Sequence, residues 1–201
     1  PYGEDYTIFD TDDQISAIGQ AMSELNIDSK KYSPRQVLNH ISSAKNELIL
    51  PQQYEGDDYY GEIVSRVYER YQHILRDSNA MDFDDLLLQM VLLLRGNEAV
   101  RDKYQAKYRY ILVDEFQDTN MAQYALVQLL GGPQNNIFVV GDEDQSIYAF
   151  RGANYRNVLH FEQDYPDCQK ILLEQNYRST QIVLDAARAI IDHNHNRTPK
   201  A

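Results

Sequence analysis

Tyr110-Ile111-Leu112-Val113-Asp114-Glu115-Phe116-Gln117-Asp118-Thr119-Asn120 is the stretch on which the reading of this chain turns. A short apolar run ends abruptly in two carboxylates. Such a run fits a strand buried on both faces, and the break into acid marks its carboxyl end. Two more runs behave the same way. Ile137-Phe138-Val139-Val140 ends in Gly141-Asp142, and Ile171-Leu172-Leu173 ends in Glu174-Gln175-Asn176. Helical stretches lie between them. One covers about 121–130 and is closed by Gly131-Gly132-Pro133; another covers about 155–165 and is closed by Pro166. A last helix begins near Thr180, with Ile182, Val183, Ala186, Ala187, Ile190 and Ile191 expected to face inward. Apolar strands alternating with helices predict βαβ units: an α/β fold whose parallel sheet is covered by helices on both faces.

The first 80 residues read differently, as helices alone. Thr11 with Gln14 forms a capping-box pattern ahead of Ile15, Ile18, Met22 and Leu25 at near-helical spacing. Ser33-Pro34 places a cap before a proline at the first helical position, followed by a stripe of Val37, Leu38, Ile41, Ala44 and Leu48. After a polar loop at 55–58, Ile63, Val67, Tyr71, Ile74 and Leu75 continue the style. A small helical bundle with buried stripes follows, without a catalytic constellation. Beyond Asn79, Asp82 can cap a helix carrying Phe83, Leu86, Leu87, Met90, Val91 and Leu94, which stops at Gly96.

The 201 residues are 43% hydrophobic and 25% charged, the balance of a folded globular protein rather than a disordered or low-complexity one. The longest apolar run, 90–94, is far short of the ~18 residues of a membrane span, so no membrane association is expected. A single cysteine, Cys168, excludes an internal disulfide and fits a reducing, cytoplasmic setting. The start lacks both a secretory pattern and an initiating methionine, and predicts a piece of a longer protein. With 19 Lys and Arg against 31 Asp and Glu, the net charge is −12, which alone argues against nonspecific binding to a phosphate backbone.

In open α/β sheets, ligands bind beyond the carboxyl ends of the strands. All three apolar runs end there in polar clusters. Asp114 and Glu115 can divide the labour at a phosphate site, one holding Mg²⁺ and the other polarising an attacking water. In the second cluster, 141–153, the neutral amide of Gln145 can sense a terminal phosphate. Tyr148 and Phe150 can stack on unpaired bases of any sequence. The third cluster offers Tyr177 for a purine ring and Arg178 for a phosphate. Each cluster also has a plainer reading: an acidic strand-to-loop junction, two core rings, an unremarkable Tyr-Arg pair.

Together the three blocks resemble the superfamily-1 DNA helicases of the UvrD/PcrA/Rep type. Leu112 to Asn120, LVDEFQDTN, is similar to their Walker B motif. GDEDQSIYAFRGA, from Gly141, is similar to the loop coupling nucleotide to DNA, and LEQNYRS, from Leu173, to the arginine motif at the inter-domain cleft. TIFDTDDQ, SAKNELI and MDFDDLL resemble the helical insertion and the return into the first motor domain. The resemblance implies a partial RecA-like parallel sheet flanked by helices, with an all-helical insertion at 1–79. Residues 80–173 would be the C-terminal half of the first motor domain, and 174–201 the start of the second. It further implies ATP and Mg²⁺ as cofactors and single-stranded and duplex DNA as partners. Asp114 would associate with Mg²⁺, Glu115 act as general base, and Gln145 contact the γ-phosphate and the water. Tyr177 would stack near adenine, and Arg178 would act as an arginine finger. Tyr148, Phe150 and Arg151 would belong to the single-stranded DNA track, with Phe150 where relatives often carry tryptophan.

The nine glycines stand at 3, 19, 56, 61, 96, 131, 132, 141 and 152, and none precedes a lysine, so this stretch contains no P-loop. The family places that motif upstream and a second arginine downstream. An internal fragment, inactive by itself, is the expectation. Three rivals remain: a two-metal nuclease using Asp114, Glu115, Asp118 and the acids at 142–144; a helicase–nuclease subunit of the same superfamily; and a non-enzymatic interaction module with a degenerate ATP site.

Overall fold

A computed structural model describes residues 2–134, 136–147, 156–173 and 175–193. The fold is mostly helical with two small parallel sheets. In the first, β1 (Thr7–Phe9) pairs with β2 (Ala80–Asp82), Thr7 opposite Ala80. Between these strands run α1 (Thr11–Glu24), α2 (Pro34–Asn46) and α3 (Tyr59–Asp77). The cap of α1 sits one residue earlier than the sequence pattern suggests. Asp10 accepts the N–H groups of Asp12 and Asp13 at 2.9 and 3.0 Å, and Asp13 returns the bond. Gln14 is thereby released to donate to the Phe9 carbonyl at 3.1 Å, fastening the helix to β1. Pro34 opens α2 as expected, but the helix ends at Asn46. Leu48 therefore lies past it, in left-handed backbone with φ 60°.

The expected stripes of these three helices close on one another. Ile18, Met22, Val37, Ile41, Val67 and Tyr71 are fully buried in one cluster. Each such side chain contributes on the order of 1.5–3 kcal/mol relative to exposure. A charged cluster is buried with them. Lys45 of α2 meets Asp82 at 2.7 Å and Asp85 at 2.9 Å, and Tyr71 donates its hydroxyl to Asp82 at 2.9 Å. Burial alone would lower the Lys45 ammonium; Asp82 and Asp85 outweigh it and hold the group above its ordinary value.

The second part begins with α4 (Phe83–Gly96), capped by Asp82 as expected, and α5 (Glu98–Lys107), which the sequence reading did not identify. Val91 and Leu94 of α4 are buried together with Leu88, whereas Phe83 and Met90 are exposed. Then come β3 (Ile111–Val113), α6 (Met121–Gly131), β4 (Ile137–Val139), α7 (Arg156–Asp164) and α8 (Gln181–Ile191). β3 and β4 pair in parallel, Ile111 opposite Ile137.

Three expectations fail here. Among the described residues, the sheet is not covered on both faces. Val113, Ile137 and Val139 pack on the cluster of Phe116, Tyr124 and Phe161, but Leu112 and Phe138, opposite each other, are 74% and 56% exposed. The run 171–173 is not a strand, and Leu173 is 82% exposed. A strand needs a neighbour to complete its ladder, and no described residue offers one. Finally, α8 forms, but its apolar stripe faces outward: Ile182 is 81% exposed, and Val183 and Ile190 are exposed too. No described element packs over them. None of the described helices is long and apolar enough to cross a membrane.

Candidate active site

The carboxyl ends of β3 and β4 stay joined past their last paired residues. Val140 N–H donates to the Val113 carbonyl at 2.8 Å, and Phe116 N–H donates to the Val140 carbonyl at 2.9 Å. Between those bonds the chain turns sharply. Glu115 has φ 49° and ψ 43°, a left-handed conformation uncommon for a residue with a side chain. Holding it there costs on the order of 1–3 kcal/mol. Asp114 steadies the bend by accepting the Glu115 N–H on Oδ1 at 2.9 Å. A single 3-10 turn, Phe116–Asp118, follows.

Gln117, 1% exposed, bridges the two strand ends. Its Nε2 donates to Glu115 Oε2 at 2.8 Å, and its Oε1 accepts the Asp142 N–H at 3.0 Å. The two partners fix the amide's orientation, because a carboxylate only accepts and a backbone N–H only donates. The Gln117 backbone carbonyl accepts the Ser146 hydroxyl at 3.4 Å. Gly141 makes room for this bridge. A Cβ there would stand 2.7 Å from Gln117 Oε1 and 3.2 Å from Gln117 N. On the β4 side, Asp142 folds its own turn: Oδ1 accepts the Asp144 N–H at 3.0 Å, and Oδ2 accepts the Gln145 amide at 2.8 Å.

Asp114, Glu115, Asp118 and Thr119 line a cleft of about 360 Å³ opposite Gln123, Leu126 and Val127 of α6. Asp118 Oδ1 is buried without a hydrogen-bond partner among the described residues. Behind the cleft, Thr119 donates to the Phe116 carbonyl at 2.7 Å, and buried Asn157 of α7 donates to the Thr119 carbonyl at 2.9 Å. Asn120 caps α6 by accepting the Gln123 N–H at 2.8 Å.

Asp114, Glu115 and Gln145, named from the sequence, are thus brought to one edge of one sheet. Tyr177 and Arg178 are not joined to them by any described hydrogen bond or ion pair. Their loop is an Asn176 turn, whose Oδ1 accepts the N–H groups of Arg178 and Ser179 at 2.9 and 2.8 Å, and Tyr177 is 92% exposed. Tyr148, Phe150 and Arg151 lie outside the described residues. Among the described residues, no group of three His, Cys, Asp or Glu side chains is placed to hold a metal ion. Gln117, Gly141 and Asp142 build the site; the sequence placed them inside the motifs, with Asp142 among the acids of the nuclease reading, but gave none of them the role of bridge or turn. Their signal is positional only: each stands within four residues of a strand end.

Residues 2–166 match the UvrD/REP helicase N-terminal domain. The chain is 49% identical to the ATP-dependent DNA helicase PcrA of Bacillus subtilis (strain 168) over 197 residues, 97% of this chain and 27% of that protein. It is 46% identical to the PcrA of Leuconostoc citreum over 199 residues, 98% of this chain and again 27% of the relative. The Staphylococcus aureus PcrA (strain NCTC 8325 / PS 47) stands at 49% over 97% of this chain and 27% of its own length. The chain therefore spans about a quarter of the length of these relatives. A match that runs through both strand ends and the acidic turn between them leaves one assignment: the chain belongs to the UvrD/REP helicase N-terminal domain family.

Proposed function

We propose that the chain carries the carboxylate half of an ATP-hydrolysing site in a DNA helicase, one that moves on single-stranded DNA and unwinds duplex. The observation that carries this reading is the Gln117 bridge. It holds the Glu115 carboxylate and the Asp142–Gln145 turn at one sheet edge, and Asp114 and Glu115 at that edge also line the cleft beside α6.

Glu115 Oε2 is occupied by the Gln117 amide, which sets the carboxylate's rotamer and leaves Oε1 to receive a proton from water. Gln145, tethered through Asp142, orients that water against the terminal phosphate. Asp114 supplies a hard oxygen, the donor type Mg²⁺ takes when it binds through one or two carboxylates plus phosphates and water. Asp114 lines the cleft beside Glu115, so the donor type present fits that mode. When bound, Mg²⁺ would neutralise phosphate charge at this edge. Arg178 is assigned the charge spreading onto the transferred phosphoryl, and Tyr177 the adenine face. Tyr148, Phe150 and Arg151 are assigned the DNA strand. In this reading residues 1–79 form a helical insertion, 80–173 the second half of a RecA-like motor domain, and 174–201 the start of the next.

Glu115→Gln in the full-length parent tests the proposal. Nucleotide binding should survive while turnover falls by ~10²-fold or more; turnover at the parental rate would overturn the assignment. The 201-residue chain itself, which has no Gly-Lys pair for a phosphate cradle, should show no DNA-stimulated hydrolysis above its Glu115→Gln control.

A further inference from the structure

Two adjacent residues at the end of α2 each take hold of the N-cap residue of another helix. Lys45 grips Asp82, the cap of α4, from within the charged cluster already described. Asn46 grips Asn120, the cap of α6: Asn120 Nδ2 donates to Asn46 Oδ1 at 2.6 Å across 74 residues of chain. Both amides are buried, and Asn46 Nδ2 also donates to Asp84 at 3.3 Å. Asn120 is the last residue of the turn that begins at Asp114.

We propose that Asn46 is a positioning residue for the carboxylate turn 114–120, acting through Asn120, so that the seating of the three-helix part sets the geometry of Glu115 and Gln117. The Asn120 side chain divides its work between two partners. Its Oδ1 caps α6 through the Gln123 N–H, and only its Nδ2 reports to α2. One residue earlier, Asn157 of α7 holds Thr119 from another direction. The turn is therefore suspended between α2 and α7 by buried amides. In a low-dielectric interior, a buried amide that loses its partner moves to find another. The turn would move with it.

The activity arm of the test rests on the proposed function; the exchange arm does not. In the full-length parent, Asn46→Ala and Asn120→Ser each remove the bond, and Asn120→Ser, too short to reach Asn46, keeps an oxygen to cap α6. Backbone amides of Phe116, Asp118 and Thr119 should exchange about fivefold faster in either variant, the change expected from losing one hydrogen bond. The double variant should be no faster than the worse single one. The kcat for ATP should fall several-fold with KM for ATP within about twofold, again without compounding in the double variant. Unchanged exchange at those three amides, or effects that multiply, would overturn the proposal. If Asn46→Ala does not fold, Asn120→Ser alone decides by the same exchange readout. A parent that shows the exchange response but has no ATP turnover would sink the proposed function and leave the positioning role standing.

Discussion

The three-helix part and the strand part of this chain are held together by different forces. Among the described residues, a cluster of sixteen buried apolar residues closes around α1, α2 and α3, whereas the corresponding cluster around β3 and β4 has three, Phe116, Tyr124 and Phe161. The strand part leaves Leu112, Phe138 and the stripe of α8 exposed. Its geometry is instead set by single polar bonds: Gln117 to Glu115 and Asp142, Asn157 to Thr119, Asn120 to Asn46. Packing averages over many weak contacts and tolerates small errors. An amide with two fixed partners does not, and the candidate chemistry sits where the amides are.

The sharpest way to break that contrast is to cut the same volume from each part. Ile41→Ala, in the fully buried helical cluster, should destabilise by roughly 2–5 kcal/mol. Leu112→Ala, on the exposed sheet face, should stay within about 0.5 kcal/mol. Urea unfolding of the 201-residue chain measures both, and equal losses would erase the distinction.

Gly141→Ala probes the polar side. The new Cβ presses on Gln117 Oε1 and on the backbone of Phe116 and Gln117, so the bridge must open. Leaving the buried Gln117 amide without its partners costs on the order of 1–3 kcal/mol. ATP turnover of the parent should drop by about tenfold or more with the helical part's melting unchanged. Normal turnover would show that Gln117 is dispensable.

The smallest effect is a pH dependence. Burial pushes the Asp85 carboxyl up, to about 6; Lys45 opposes the shift and Asp82 adds to it, since two carboxylates share one ammonium. The folded chain therefore keeps a proton that the unfolded chain releases near pH 4. Asp85 contributes most below that pH and progressively less as pH rises through 6. The stability difference between the unsubstituted chain and Asp85→Asn should decline from pH 4 to 6 and level off above. A difference that rises across this window would reverse the assigned sign.

Much of the candidate site was legible because the strand ends announce themselves: 111–113 and 137–139 pair as the apolar runs suggest, and the acids follow at once. The run 171–173 carries the same local signal without becoming a strand, because pairing is a property of neighbours and no described strand adjoins it. β1 and β2 escaped notice for the converse reason. Three residues each, they are too short to show a period, and Asp82 already had a role as a cap. Gln117 could be read as part of a motif but not as a bridge. Its direction depends on the left-handed backbone of Glu115, and a non-glycine residue gives no local warning of that.

The pairing of β1 with β2 has an architectural consequence. Residues 7–9 and 80–82 lie side by side, so the chain leaves on one strand and comes back on its immediate neighbour. Everything between is an excursion whose doorway is one strand spacing wide, ~4.8 Å. A module mounted on such a doorway can be lengthened, trimmed or exchanged for another without displacing either jamb. What does not travel freely with it is the Lys45–Asn46 pair, the latch a replacement would have to rebuild.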